Sequence, residues 1–191
     1  MRCFVAVDLS DAVRGALGDV QRRMREEADG ADVRWVAMAN AHLTLKFLGQ
    51  VDETRRDELV LALGRAVAGC PPIGLEARGM GAFPSVRRAR VVWAAITTGA
   101  AELVCLAASV DAAFAPLGFP AEQRPFTAHI TLGRVRSPRG LARLGEAIER
   151  ARDADVGRWS VDRVVLYRSH LRPRGAVYEA LAHLALAGSS T

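Results

Sequence analysis

Ala41-His42-Leu43-Thr44-Leu45-Lys46-Phe47-Leu48-Gly49 decides how the 191-residue chain is read, because its core returns as His129-Ile130-Thr131-Leu132 in the second half. In each copy a histidine and a threonine two positions apart interrupt an otherwise apolar run. Successive side chains of a strand point to opposite faces. His42 and Thr44 therefore share one face, and Ala41, Leu43, Leu45 and Phe47 the other. His129 and Thr131 stand likewise opposite Phe126, Ala128, Ile130 and Leu132. A lone strand histidine is most often a hydrogen-bonded structural residue, but recurrence beside the same hydroxyl points to one site built twice. Two such strands facing across a cleft make a symmetric site.

Working outward, residues 2–9 read as a strand, and Ser10 or Asp11 caps an amphipathic helix reaching Ala28 and ended by Gly30. Short strands follow at 33–36 and 42–48. A helix over 52–68 is stopped by Cys70-Pro71-Pro72, and a strand is expected at 73–83. Pro84 and the arginines Arg87, Arg88 and Arg90 form a turn expected to link two lobes. A strand at 91–97, a helix at 101–115, a strand at 126–135 and a helix at 139–152 repeat that order. Strands at 159–167 and 176–186 complete an α+β chain, with a frayed tail expected over 188–191.

Hydrophobic residues at 50% and charged residues at 25% exclude a disordered or fibrous chain. The opening MRCFVAVDLSD lacks a signal-peptide pattern. No apolar stretch is expected to reach the roughly 18 residues of a membrane span, so a soluble, cytoplasmic protein is expected. Cys3, Cys70 and Cys105 are widely spaced and suggest neither a disulfide framework nor a zinc site; all three are expected as small buried apolar groups. The net charge of +5 suits an anionic partner such as RNA. Only Lys46 among the 26 basic residues is lysine, a bias that fits bidentate phosphate contacts or a GC-rich genome equally. Arginines at 87, 88 and 90, at 134, 136 and 139, and at 168, 172 and 174 form a candidate track for an RNA chain, or simply solvated faces.

Two imidazoles with ordinary pKa values of about 6.5 supply a base and an acid near neutral pH, one taking a proton from water and the other protonating a leaving oxygen. The threonine hydroxyls can donate to non-bridging phosphate oxygens. Neither tetrapeptide holds a cysteine or carboxylate to complete a metal shell, so chemistry without metal or cofactor is expected. His170 and His183 lack the threonine partner and are assigned to surface or packing roles.

These motifs, with RCFVAVDLS, VRWVAMANAHLTLKFLGQV, GMGAFPSVRRARVVWAAI, RPFTAHITLGRVR and LYRSHLRPRGAVYEALAHLAL, closely resemble the RNA 2′,3′-cyclic phosphodiesterases of the 2H phosphoesterase superfamily, also called 2′-5′ RNA ligases. The resemblance implies one bilobal 2H phosphoesterase domain over 1–191, with two pseudo-symmetric lobes, each an antiparallel sheet with helices, flanking a central cleft. It implies His42 as proton donor to the 3′ leaving oxygen and His129 as proton acceptor from water, leaving a 2′-phosphate. Thr44 and Thr131 would hold the phosphate, and Arg134 would contact it. The expected partners are RNA ends or small cyclic-phosphate nucleotides. No strong dimer seam is visible, so a monomer is expected. Ala128 departs from the proline that many relatives carry before the second histidine. Phe47 or Phe83 would suit base stacking, although alternation assigns Phe47 to the core side. Two other readings remain open from sequence: 2′-5′ ligation by the reverse reaction, and a non-catalytic RNA or nucleotide binding module.

Overall fold

Two antiparallel sheets divide the strands between two lobes in a computed structural model that describes residues 1–172 and 175–188. Arg174 of the candidate track and residues 189–191 of the expected tail lie outside the described residues. The first sheet holds β1 (Arg2–Val7), β3 (Leu43–Gln50), β9 (Arg163–Arg172) and β10 (Gly175–Ala185) in the order β10-β9-β1-β3. The second holds β2 (Val33–Trp35), β5 (Ile73–Phe83), β6 (Val91–Thr98), β7 (His129–Val135) and β8 (Asp155–Val161) in the order β2-β7-β6-β5-β8. A short parallel pair joins β4 (Ala68–Gly69) to β11 (Ala187–Gly188).

The helices are exchanged between lobes. In α1 (Asp11–Glu27) the Ser10 side chain caps the N-terminus, and the buried stripe Val13, Leu17, Val20 and Met24 recurs at helical spacing. Although α1 follows β1 directly, it packs on β8 and on α4 (Leu141–Arg150) of the second lobe. α3 (Ala100–Phe114) follows β6 of the second lobe, yet packs on β3 and on α2 (Arg56–Val67) of the first. Each lobe thus takes one helix from each half of the chain.

Three sequence expectations are corrected by this arrangement. The arginine turn at 84–90 does not link the lobes: β5 and β6 are neighbours in one sheet, with Phe83 opposite Val91, so the turn closes a hairpin within the second lobe. The strand expected at 159–167 is two strands in different sheets, parted at exposed Asp162. Trp159 and Val161 bury in the second lobe and Val164–Leu166 in the first, a division hidden by the continuous apolar run. The second motif strand starts at His129 instead of Phe126, because Pro125 cannot donate to a ladder and the segment leading in from Phe119 is irregular.

Contrary to expectation, residues 100–117 are long and apolar enough to cross a membrane by length and composition. Their buried stripe Leu103, Leu106, Ala107, Val110 and Phe114 lies in the core, while Glu102 is exposed and Asp111 is partly buried. Cys3 is buried as expected, but Cys70 is half-buried and Cys105 is exposed on α3.

Candidate active site

Both motif strands carry a bulge at the same residue of the repeat. Between Val5 and Ala6 of β1 the partner on β3 jumps from Lys46 to Thr44, leaving Leu45 without a counterpart. Between Val92 and Trp93 of β6 the partner on β7 jumps from Gly133 to Thr131, leaving Leu132 without one. Each bulge reverses the alternation beyond it. Lys46 and Gly133 turn inward, while Phe47 and Arg134, each two places past the bulged leucine, return to the face that bears His42 and His129. Phe47 is accordingly 56% exposed and opposite Phe4, not on the core side as strict alternation assigns it.

The bulged backbone is satisfied from outside the strand. The Leu132 carbonyl accepts from Val36 N at 2.8 Å and from Gln21 Nε2 of α1 at 2.9 Å. Gln21 Nε2 also donates to Val36 O at 2.8 Å, so α1 locks the entry to the first motif against the second. Gly133 faces Val33 and Trp35, where a Cβ would approach Val33 to 2.8 Å.

The two histidines are oriented by the same device. His42 Nδ1 donates to Asn40 O at 2.8 Å, and His129 Nδ1 donates to Thr127 O at 2.7 Å, in each case the carbonyl two residues upstream. A carbonyl only accepts, so Nδ1 carries the hydrogen and the neutral ring leaves Nε2 free as a base. His42 Nε2 lies 3.0 Å from Thr44 Oγ1. Asn40 is itself tethered, donating from Nδ2 to Ala176 O of β10 at 2.7 Å, while Arg14 of α1 donates to Ala41 O at 3.0 Å.

Aromatic rings complete both walls. Phe4 stacks on His42 with centroids 4.7 Å apart, Tyr178 meets His42 edge-on at 5.2 Å, and Phe83 meets His129 edge-on at 5.1 Å. Burial pushes the His42 imidazole below its ordinary pKa. The Asn40 carbonyl and the Asp8 carboxylate oppose that shift, and Arg14 adds to it. Tyr167, which donates to Asp8 Oδ1 at 2.7 Å, has its phenol pKa raised by burial and by that bond.

The structure therefore brings His42 and Thr44 together at hydrogen-bond distance and sets His129, Thr131 and Arg134 on one face of β7, opposite Ala95, Trp93 and Val91 of β6. β3 and β7 are in contact across the lobes. His170 Nε2 pairs with Glu179 at 2.8 Å and His183 is exposed, consistent with their surface assignment. Of the arginine track, Arg168 is engaged by Glu53 at 2.5 Å. Among the described residues no group of three or more His, Cys, Asp or Glu side chains is placed to hold a metal ion. Tyr178 escaped the sequence reading because nothing local marks it; only the pairing of β9 with β1 and β10 carries it to His42.

The LigT-like phosphoesterase family model matches the chain twice, over residues 7–93 and 96–178, one match for each copy of the motif. The RNA 2′,3′-cyclic phosphodiesterase of Methanothermobacter thermautotrophicus is 35% identical over 178 residues, covering 93% of this chain and 95% of that one. That of Thermotoga maritima is 33% identical, covering 95% and 93%. Among solved structures, TT0787 of Thermus thermophilus superposes with a TM-score of 0.80 at 32% identity, covering 99% of this chain and 100% of that one. E. coli LigT complexed with 3′-AMP superposes with a TM-score of 0.75 at 29% identity, covering 97% of both chains. A duplicated motif, two lobes that exchange helices and a match spanning nearly the whole chain agree: this chain belongs to the LigT-like phosphoesterase family.

Proposed function

We propose that the chain hydrolyses 2′,3′-cyclic phosphates at RNA ends to 2′-phosphomonoesters, using two histidines and no metal. The observation that carries this reading is the paired orientation of His42 and His129, each held through Nδ1 with Nε2 left for proton transfer. Its relatives named as RNA 2′,3′-cyclic phosphodiesterases support the choice of substrate.

His129 Nε2 takes a proton from water as the water oxygen bonds to phosphorus. The P–O3′ bond breaks, and His42 Nε2 gives the 3′ oxygen its proton. Thr44 and Thr131 donate to the non-bridging oxygens, and Arg134 meets their charge. Burial favours neutral His42 in the free protein. An anionic phosphate beside it favours the imidazolium, so His42 gains its proton as substrate binds. The bulges also give the cleft a polarity: five residues past the histidine, the first copy presents Phe47 for stacking a base and the second presents Arg134 for phosphate.

The test is an oligoribonucleotide ending in a 2′,3′-cyclic phosphate, incubated with wild type, His42→Ala and His129→Ala, with the product isomer identified. Conversion to a 2′-phosphate that is lost in both variants and indifferent to EDTA is expected. A rate abolished by EDTA and restored by a divalent ion would sink the metal-free reading, and a folded wild type without turnover would sink the reaction itself.

A further inference from the structure

Near His42 three arginines from the two lobes, Arg2, Arg34 and Arg134, stand without an ion-pair partner among the described residues. Arg2 of β1 lies opposite Ser169 of β9, which lies opposite Tyr178 of β10, so the three share one row and one face of the first sheet. That face is the one on which Phe4, two residues after Arg2, stacks on His42. In the second sheet Arg34 of β2 lies opposite Arg134 of β7, which lies opposite Val91, again one row on the face of Thr131. The rows meet at β10: a Cβ built on Gly175 would stand 3.8 Å from the Arg34 guanidinium, and Asn40 holds the neighbouring Ala176 carbonyl. Burial raises the Tyr178 phenol pKa, and the charges of Arg134, Arg2 and Arg34, in that order, pull it back down. All three are exposed, and none makes an ion pair or side-chain hydrogen bond among the described residues.

Three guanidinium groups near one phenol, contributed by two lobes and without an ion-pair partner among the described residues, repel one another, and an anion between them relieves that repulsion. The reactive phosphate, held by Thr44 and Thr131, uses only Arg134 of the three. We infer that Arg2 and Arg34, with the Tyr178 hydroxyl, form a second phosphate subsite adjoining the two-histidine site, which takes the phosphodiester one nucleotide 5′ of the cyclic phosphate. This rests on the reading of the histidine site given above. It makes the preferred substrate a strand end instead of a single nucleoside cyclic phosphate, because only a chain presents phosphodiester and cyclic phosphate one ribose apart.

Three substrates test it: a nucleoside 2′,3′-cyclic phosphate, the same compound bearing a 5′-phosphate, and a dinucleotide ending in the cyclic phosphate. Turnover of the first by wild type tests the histidine site alone. The wild type is expected to favour the dinucleotide over the plain nucleoside in kcat/KM by about tenfold or more, as charge-assisted phosphate contacts warrant. In the Arg2→Gln/Arg34→Gln double variant that ratio falls toward one, while Arg65→Gln, an exposed charge on α2, leaves it in place. The ratio in wild type also falls with added KCl. Plain-nucleoside turnover with no dinucleotide preference, or a preference untouched by the double variant and by salt, would overturn the subsite while leaving the histidine site standing. A gain confined to the 5′-phosphorylated monomer would overturn the strand phosphate as its ligand. Absence of turnover on all three would overturn both readings.

Discussion

Lys46 and Asp111 form a buried ion pair between β3 and α3, and the Lys46 ammonium also donates to Pro120 O at 2.9 Å. The bulge at Leu45 creates this pair, since without it Lys46 would lie on the face of His42 and Thr44. Lys46 is 2% exposed, whereas Asp111 keeps some access to water and also accepts from Glu122 N at 3.3 Å. Asp111→Ala strands a buried cation and should lower stability by about 3 kcal/mol, the scale for removing one partner of such a pair. Lys46→Met removes the buried charge itself and should cost clearly less. Urea midpoints of the two variants check the order, and equal losses would contradict it.

The proposed acid and base roles separate by leaving group. His42→Ala and His129→Ala should each lower kcat by about 10²- to 10⁴-fold on the natural oxygen ester. Replacing the bridging 3′ oxygen with sulfur gives a thiolate that departs without a proton. This substrate should restore much of the rate to His42→Ala and none to His129→Ala. Rescue of the other variant would exchange the roles.

The depressed pKa of His42 sets a sign for stability against pH. In the unfolded chain the imidazole takes up a proton near its ordinary value of about 6.5, while burial holds the folded group neutral to lower pH. The unfolded state therefore binds more protons in that interval. The contribution is complete above the unfolded value and is lost as pH falls through the folded one. Thermal unfolding of wild type should lose more between pH 7.5 and 5.5 than that of His42→Gln. Parallel losses would show that His42 is not the group responsible.

Gly81 lies opposite Trp93 on β5, and a Cβ there would come within 2.5 Å of the indole. Trp93 in turn lies opposite Thr131 and packs on Phe83, whose ring touches His129. Gly81→Ala should displace the indole, at a cost of about 1–3 kcal/mol as for overpacking in general, and lower kcat more than it raises KM. Its tryptophan emission should shift with the activity loss. An unshifted spectrum with full activity would mean the indole has room to spare.

Phe47→Ala should weaken binding of substrates with a base by about 1–3 kcal/mol, the range for one base–aromatic stack. A cyclic phosphate on ribose without a base should lose far less. KM values for the two substrates make the comparison.

Local patterns in the chain made the elements and the two motifs legible. Ser10, the Val13-Leu17-Val20-Met24 stripe and the apolar runs at 43–48 and 91–96 each state their structure within a few residues. The assignment of elements to lobes was not legible, because it depends on which sheet a strand joins: Val161 and Val164 read as one strand, yet lie in different sheets. The site was legible as far as Thr44 and Thr131. Beyond them an alternation rule fails at Leu45 and Leu132, which look like any other core leucine. Unbroken alternation would put Phe47 in the core and Lys46 outside, the arrangement hydropathy favours, and the fold does the reverse.

The exchange of helices and strands between lobes also bears on how the protein comes into being. The sheet beside His42 is begun by β1 and closed only by β9 and β10, so the wall around that histidine lacks Tyr178 until β10 has been synthesised. Neither half of the sequence contains a lobe. Severing the turn at 84–90 would yield fragments that each hold one of the two motif histidines and neither complete sheet, and activity would return only when the two fragments fold around each other.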